Sequence, residues 1–223
     1  MILYRILAAI LCLSLVCPAY AAPTEKYVAL TFDDGPSGRF TRALLDGLAS
    51  RNAKATFLLC GYRIKDYPAE AKRIHAEGHE IGLHGYSHNS MADMSQETLE
   101  RETADTLALL PSGCRPAFLR PPGGKFSDTV LEVARQADLG VLSWSVDPKD
   151  WACDDAGQIR CSVVQAVKDG DVILLHDMSD SSVEAAFEII DALKQQGFRF
   201  VTVSELARRK GVTIKPGKVY QRF

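Results

Sequence analysis

The chain has 223 residues, with 26 Lys and Arg against 28 Asp and Glu and a formal net charge of −2. This length allows one domain or two small ones. The near-neutral balance excludes a nucleic-acid partner, which requires a basic face. Residues 1–21 read as an export leader. Arg5 is their only charge, residues 6–16 (ILAAILCLSLV) are apolar but too short for a membrane span, and Ala19-Tyr20-Ala21 matches a small-x-small cleavage site. Cleavage after Ala21 is expected, giving a soluble secreted, periplasmic or cell-envelope protein whose single domain spans 22–223. It leaves Cys60, Cys114, Cys153 and Cys161. Four cysteines in an exported chain permit three pairings. Cys153–Cys161, which brackets a short polar loop, is the favoured pair, with Cys60–Cys114 second.

Beyond the leader, short β-rich runs alternate with amphipathic stretches. In chain order, strands are predicted at 26–32 (KYVALTF), 55–60 (ATFLLC), 79–84 (HEIGLH), 116–120 (PAFLR), 140–146 (GVLSWSV), 171–176 (DVILLH) and 198–203 (FRFVTV). Helices are predicted at 42–51, 67–78, 95–110, 127–137, 162–170 and 183–197, where apolar residues recur three and four apart. Gly78, Gly170 and Gly197 stand where helix C-caps belong. Strand–helix alternation implies a parallel sheet. About seven units in one domain predict an α/β fold, a barrel or near-barrel with its chemistry at the C-terminal ends of the strands.

The polar residues that follow each run are therefore the candidates. Asp33 and Asp34 end the first run, side by side ahead of Gly35-Pro36. Like charges this close require a cation between them or a shared proton. His84 and His88 are spaced H-x-x-x-H, which on a helical turn sends both imidazoles to one ion. Two histidines, a carboxylate from Asp34 or Asp33, and an open position describe a catalytic zinc-type site. One aspartate then binds the cation while the other stays free as a base. His176, leaving an apolar run, is a candidate general acid. Asp147 and Asp150 are placed to orient it or to turn the chain through Pro148. Arg120 in LRPPGG pairs with a carboxylate or caps a loop, and Gly123 and Gly124 present backbone N–H groups to an oxyanion or form a plain turn. Trp151 is a sugar platform or a hydrophobic cover. His75 and His79 lie away from this rim and read as structural, and Lys149, Asp154 and Asp155 as solvated loop charges.

Together these stretches resemble the polysaccharide deacetylase family (NodB-homology domain, carbohydrate esterase family four) over about residues 26–210. TFDDGP, GHEIGLHGYSH, RPPGG, DPKDW and LLHD are similar to its five motifs, in order. The resemblance implies a distorted (β/α) barrel that removes acetyl groups from carbohydrates with a divalent metal, zinc foremost and cobalt or nickel as substitutes. It assigns Asp33 as catalytic base, Asp34, His84 and His88 as metal ligands, and Arg120 as the residue that positions the base. Asp150 becomes the partner of the catalytic histidine His176, Leu174 the lining of the acetyl-methyl pocket, and Trp151 a groove wall. Two positions depart from the pattern: Gly123 stands where an aromatic is usual, and Gly85 where Ser or Thr is usual. The expected activity is N-deacetylation of a peptidoglycan- or chitin-type glycan by a monomer. O-deacetylation of acetylxylan is the alternative, and an inactive glycan-binding protein the third reading.

Overall fold

The structure, a computed structural model, describes residues 25–223. The predicted leader lies outside the described residues. Strand β1 (Lys26–Asp33) is buried along its length after Lys26, so both its faces meet apolar neighbours. It is followed by α1 (Arg39–Ser50), β2 (Ala55–Leu59), α2 (Gly61–Asp66), α3 (Pro68–Ala76) and β3 (Glu80–Leu83). Then come α4 (Gln96–Ala108), β4 (Phe118–Leu119), α5 (Asp128–Gln136), β5 (Gly140–Leu142) and α6 (Ala156–Ala166). The chain ends with β6 (Val172–His176), α7 (Asp180–Gln195), β7 (Phe198–Phe200), α8 (Val203–Arg209) and β8 (Val219–Tyr220).

The strands pair in the order β6-β1-β2-β3-β4-β5-β8, with β7 alongside the start of β1, and every pairing is parallel. Between β5 and β6 the wall is crossed by one parallel bridge, Val146 to Ile173. Seven of these parallel strands form the wall, with helices between them, and curl into a distorted (β/α) barrel, as the sequence predicts. The helices dock through the predicted stripes. In α1, Thr41, Leu44, Leu45 and Leu48 are buried; in α7, Val183, Ala186, Ile190 and Leu193 are. Each such Leu, Ile or Val buried fully contributes about 1.5–3 kcal/mol. Ser95, Ser127, Asp155, Ser179 and Thr202 cap α4 to α8 by accepting a hydrogen bond from the backbone N–H three residues on.

Several local expectations are corrected. Helix α6 begins at Ala156 rather than Ser162 because Asp155 caps it through the Gln158 amide, so Asp155 is no idle loop charge. Gly78 and Gly197 do follow α3 and α7 with positive φ. Gly170 instead sits in the turn before β6, exchanging backbone hydrogen bonds with Tyr27 and Phe223. Cys60, Cys114, Cys153 and Cys161 are all free. Cys60 directly follows β2 with Sγ toward the His84 carbonyl, whereas Cys114 lies toward Glu80 at the opposite end of the neighbouring strand. Cys153 packs against the core while Cys161 faces solvent from α6, so neither expected disulfide forms.

Candidate active site

The C-terminal ends of β1, β3, β4 and β6 bring the candidate side chains together. In the parallel pairing of β1 with β6, Asp33 lies in register with His176, which sets both at one level of the barrel. The chain leaves β1 through Asp34 at φ 71°. Left-handed backbone in a residue other than glycine is uncommon and clusters at functional sites.

Asp33 is buried, and its Oδ1 accepts from Arg120 Nη1 at 2.6 Å. Arg120 is fully buried at the end of β4, its fork divided among Asp33, Thr31 Oγ1 (2.8 Å) and the Ser143 carbonyl (2.9 Å). The centre of the Trp144 ring lies 5.6 Å from the guanidinium carbon. A single geometry satisfies these contacts, so the Asp33 carboxylate is fixed in direction.

Asp34, His84 and His88 bring one ligand atom each to within 4.8 Å of one another. Asp34 Oδ1 lies 3.2 Å from His84 Nε2 and 2.9 Å from His88 Nε2, and Asp33 Oδ2 lies 3.7 Å from His84 Nε2. His84 Nδ1 is 2.7 Å from the Arg120 carbonyl, which only an Nδ1–H can satisfy. In the neutral ring Nε2 is then a bare lone pair turned on Asp34. Asp34 Oδ1 is buried without a well-formed hydrogen bond. Two imidazole nitrogens and an orphaned carboxylate oxygen in one small space fit a divalent cation. Burial alone would raise the Asp34 carboxyl; the two imidazoles outweigh it and hold the group well below the usual carboxylate range.

The H-x-x-x-H segment is a loop, not the expected helical turn. Strand β3 stops at Leu83, and Gly85 (φ 76°) and His88 (φ 62°) bend the chain so that both rings face Asp34, 5.3 Å apart. That bend accounts for glycine at 85, where a Cβ would also lie 3.1 Å from Met91. Glu102 of α4 ties the loop down, accepting from the Tyr86 and Ser87 amides at 2.7 and 2.9 Å.

Across the groove, His176 ends β6. Its Nδ1 meets Asp150 Oδ1 at 2.8 Å, and its amide donates to Asp150 Oδ2 at 2.8 Å. Burial would lower its pKa, but Asp150, with Asp33 and Asp34 behind it, lifts it to about 9, so the imidazole is cationic at neutral pH. Asp147 instead accepts from the Lys149 amide and turns the chain. Asp33, Asp34, His84, His88, Gly123, Trp144, Asp147, Trp151, Leu174 and His176 line a groove of about 440 Å³. Trp151 is 67 % exposed at its lip, and Leu174 is buried in its floor. His79 sits elsewhere as expected: its Nδ1 accepts from the Ala55 amide and burial lowers its pKa to about 4.

The sequence reading missed Thr31, Glu102, Ser143, Trp144 and the role of Asp177. Thr31 and Trp144 were visible as a polar residue and a large aromatic inside strand-like runs; Glu102 and Ser143 carried no local signal. Asp177 is fully buried, accepts from Thr41 Oγ1 and, through its carbonyl, from Ser37 Oγ, clamping the turn after Asp34 onto β6.

Comparison with known proteins agrees with this geometry. Residues 20–142 match the family described as polysaccharide deacetylase. A peptidoglycan-N-acetylglucosamine deacetylase of Bacillus cereus is 41% identical over 192 residues, covering 83% of this chain and 90% of that protein. Bacillus subtilis peptidoglycan-N-acetylmuramic acid deacetylase PdaC is 38% identical over 190 residues; the match covers 84% of this chain but 40% of that longer protein. Among solved structures, a family 4 acetyl xylan esterase from Clostridium thermocellum, in complex with a cobalt ion, superposes with a TM-score of 0.83 at 38% identity, over 88% of this chain and 98% of that one. The five motifs, the barrel that aligns them and these likenesses agree: the chain belongs to the polysaccharide deacetylase family.

Proposed function

We propose that the protein hydrolyses N-acetyl groups on a peptidoglycan- or chitin-type glycan, as a monomer outside the cytoplasm, after residues 1–21 have exported it. One observation carries the reading. A buried carboxylate aimed by Arg120 sits beside an Asp-His-His trio, with a cationic imidazole facing both across the groove.

Asp34, His84 and His88 would hold a divalent cation, zinc foremost, with cobalt or nickel as substitutes. Bound there, the cation supplies a Lewis acid for the acetyl carbonyl and makes water more acidic. Asp33 takes the proton from the attacking water. Arg120 keeps the carboxylate pointed at that water and offsets its charge. The Gly123 N–H faces the oxyanion as the carbonyl carbon becomes tetrahedral. His176, held charged by Asp150, donates to the departing nitrogen. An amine is a poor leaving group until protonated, so a cationic acid suits an amide more than an ester. Leu174 packs against the acetyl methyl, and Trp151 against the sugar. O-deacetylation uses the same apparatus and is the second reading, favoured by the likeness to an acetyl xylan esterase.

Acetate release from peptidoglycan, chitin oligomers and acetylxylan, before and after chelation and zinc return, tests both readings. Release from N-acetylated glycans that chelation stops and zinc restores is expected. Release from acetylxylan alone transfers the assignment to the ester, and no release from any of them overturns it.

A further inference from the structure

The reacting groups occupy one end of the barrel. At the other end, where β1 begins, lies a separate cleft of about 530 Å³. Tyr27 lines it, six residues before Asp33 in β1 and so about 20 Å from the reacting end. Its other walls are β7, the end of α8 and the turns that lead into β2 and β7.

Four cationic side chains line this cleft, Lys54, Lys194, Arg199 and Arg209, and no acidic side chain among the described residues does. Arg199 is paired with Glu25 at 2.6 Å and Arg209 with Glu205 at 2.7 Å. Lys54 and Lys194 meet no carboxylate among the described residues. Their ammonium groups donate to main-chain carbonyls, of Glu77 and Arg51 respectively, which fix both heads. An ammonium carries three N–H groups, so each lysine keeps two to offer a ligand. The N-terminal end of such a barrel ordinarily serves stability. Two like charges set in one cleft do the opposite, since they repel. A cleft lined by one sign of charge concentrates its field on counter-ions. Two uncompensated cations match a phosphate monoester, which carries about −1.5 to −2 at neutral pH, and exceed what one carboxylate would neutralise.

The cleft is too large for the bare ion. Its volume lies within the roughly 300–1,000 Å³ of small-molecule pockets. The rings of Tyr27 and Phe198 add an apolar wall beside the charges. Arg209 is stacked over the Tyr27 ring at 4.3 Å, and its Nη1 donates to the Tyr27 hydroxyl at 2.6 Å, so that wall is braced.

We propose that this cleft binds an organic phosphate monoester, with the phosphoryl group on Lys54 and Lys194 and the organic body against Tyr27 and Phe198. The site is distinct from the Asp-His-His trio and does not rest on the deacetylase reading.

The test is isothermal titration calorimetry with glucose 6-phosphate, inorganic phosphate and glucose. It compares the wild type, the double variant Lys54→Gln/Lys194→Gln, each single variant, and Lys65→Ala/Lys72→Ala. The last pair removes the same charge from α2 and α3, outside the cleft. All four lysines are exposed, and Gln keeps a donor for each carbonyl, so the variants fold. The wild type should bind glucose 6-phosphate more tightly than inorganic phosphate, and glucose not at all. The cleft pair should weaken the ester by at least about tenfold, as loss of charge-assisted hydrogen bonds does, with part of that loss in each single variant. The control pair should change it by less than about twofold. Phosphate held at Asp34, His84 and His88 is common to all these proteins and cancels in the comparison. Equal loss in the two pairs reduces the effect to general charge and overturns the site, as does a wild type that does not bind the ester. Inorganic phosphate bound as tightly as the ester overturns the organic ligand. Acetate release from chitin oligomers should be the same in every variant. Its absence from the wild type defeats the deacetylase reading alone, and the affinities still decide the cleft.

Discussion

Arg120 grips Asp33 through its side chain, at 2.6 Å, and orients His84 through its main chain, whose carbonyl lies 2.7 Å from the ring's Nδ1. One residue therefore sets the direction of the proposed base and the tautomer of a proposed ligand. Arg120→Leu strands a buried carboxylate, a change that costs about 3–5 kcal/mol. Urea unfolding should show this loss, and Asp33→Asn combined with it should recover part. Arg120→Lys restores charge but not the fork; folding should largely recover, while kcat stays about 10–100-fold down.

Separating the two aspartates is the second expectation. Asp34→Asn should weaken cobalt binding, followed by its visible absorption, by more than the roughly 10–100-fold typical of residues that only support a ligand. Asp33→Asn should keep the cobalt spectrum and lose about 10²–10⁴ in kcat as a general base does. Equal loss of cobalt in both variants would refute this division of roles.

The His176–Asp150 pair fixes a pH window. The histidine pKa is raised from 6.5 to about 9. Its stabilising contribution is therefore complete below pH 6.5, where the unfolded chain is also protonated, and fades as pH rises through about 9. Amide hydrolysis should fall along the same upper limb. Asp150→Asn should shift that limb toward lower pH, and imidazole NMR titration should show it. Asp33 and Asp34 also raise this pKa, so zinc added to metal-free protein should lower it.

Gly35 has no room for a side chain. A Cβ there would lie 2.6 and 2.9 Å from the two carboxyl oxygens of the buried Asp177. Gly35→Ala should cost about 1–3 kcal/mol as overpacking does, visible as a lower melting temperature. Because the clash falls next to Asp34, cobalt affinity should drop in the same protein.

Four free thiols make the fold indifferent to reductant. Protein cleaved after Ala21 should titrate four cysteines once unfolded, and dithiothreitol should leave its melting temperature unchanged. A melting temperature that falls on reduction would reinstate a disulfide.

Much of this was legible because the barrel enforces a simple grammar: apolar run, then chemistry. Asp33, Asp34, His84, Arg120 and His176 each directly follow or close such a run, and the structure gathers all five. What stayed hidden was either too short or too distant. Helix α2 has six residues and β8 two, below the length at which periodicity speaks. Glu102 reaches the loop at Tyr86 and Ser87 from another helix, and the Ser143 carbonyl reaches Arg120 from the next strand. The cysteines misled because pairing was inferred from separation along the chain, whereas burial and the opposite ends of neighbouring strands decide distance.

The isolated bridges from Val146 to Ile173 and from Asp171 to Arg222 make the barrel a cylinder with a seam. The staves that carry Asp34, His84 and His88 lie on one side of it, and the segment bearing Asp150 and Trp151 is the flap that laps across it. Insertions in that flap would recontour the groove while the half bearing Asp34, His84 and His88 stayed untouched.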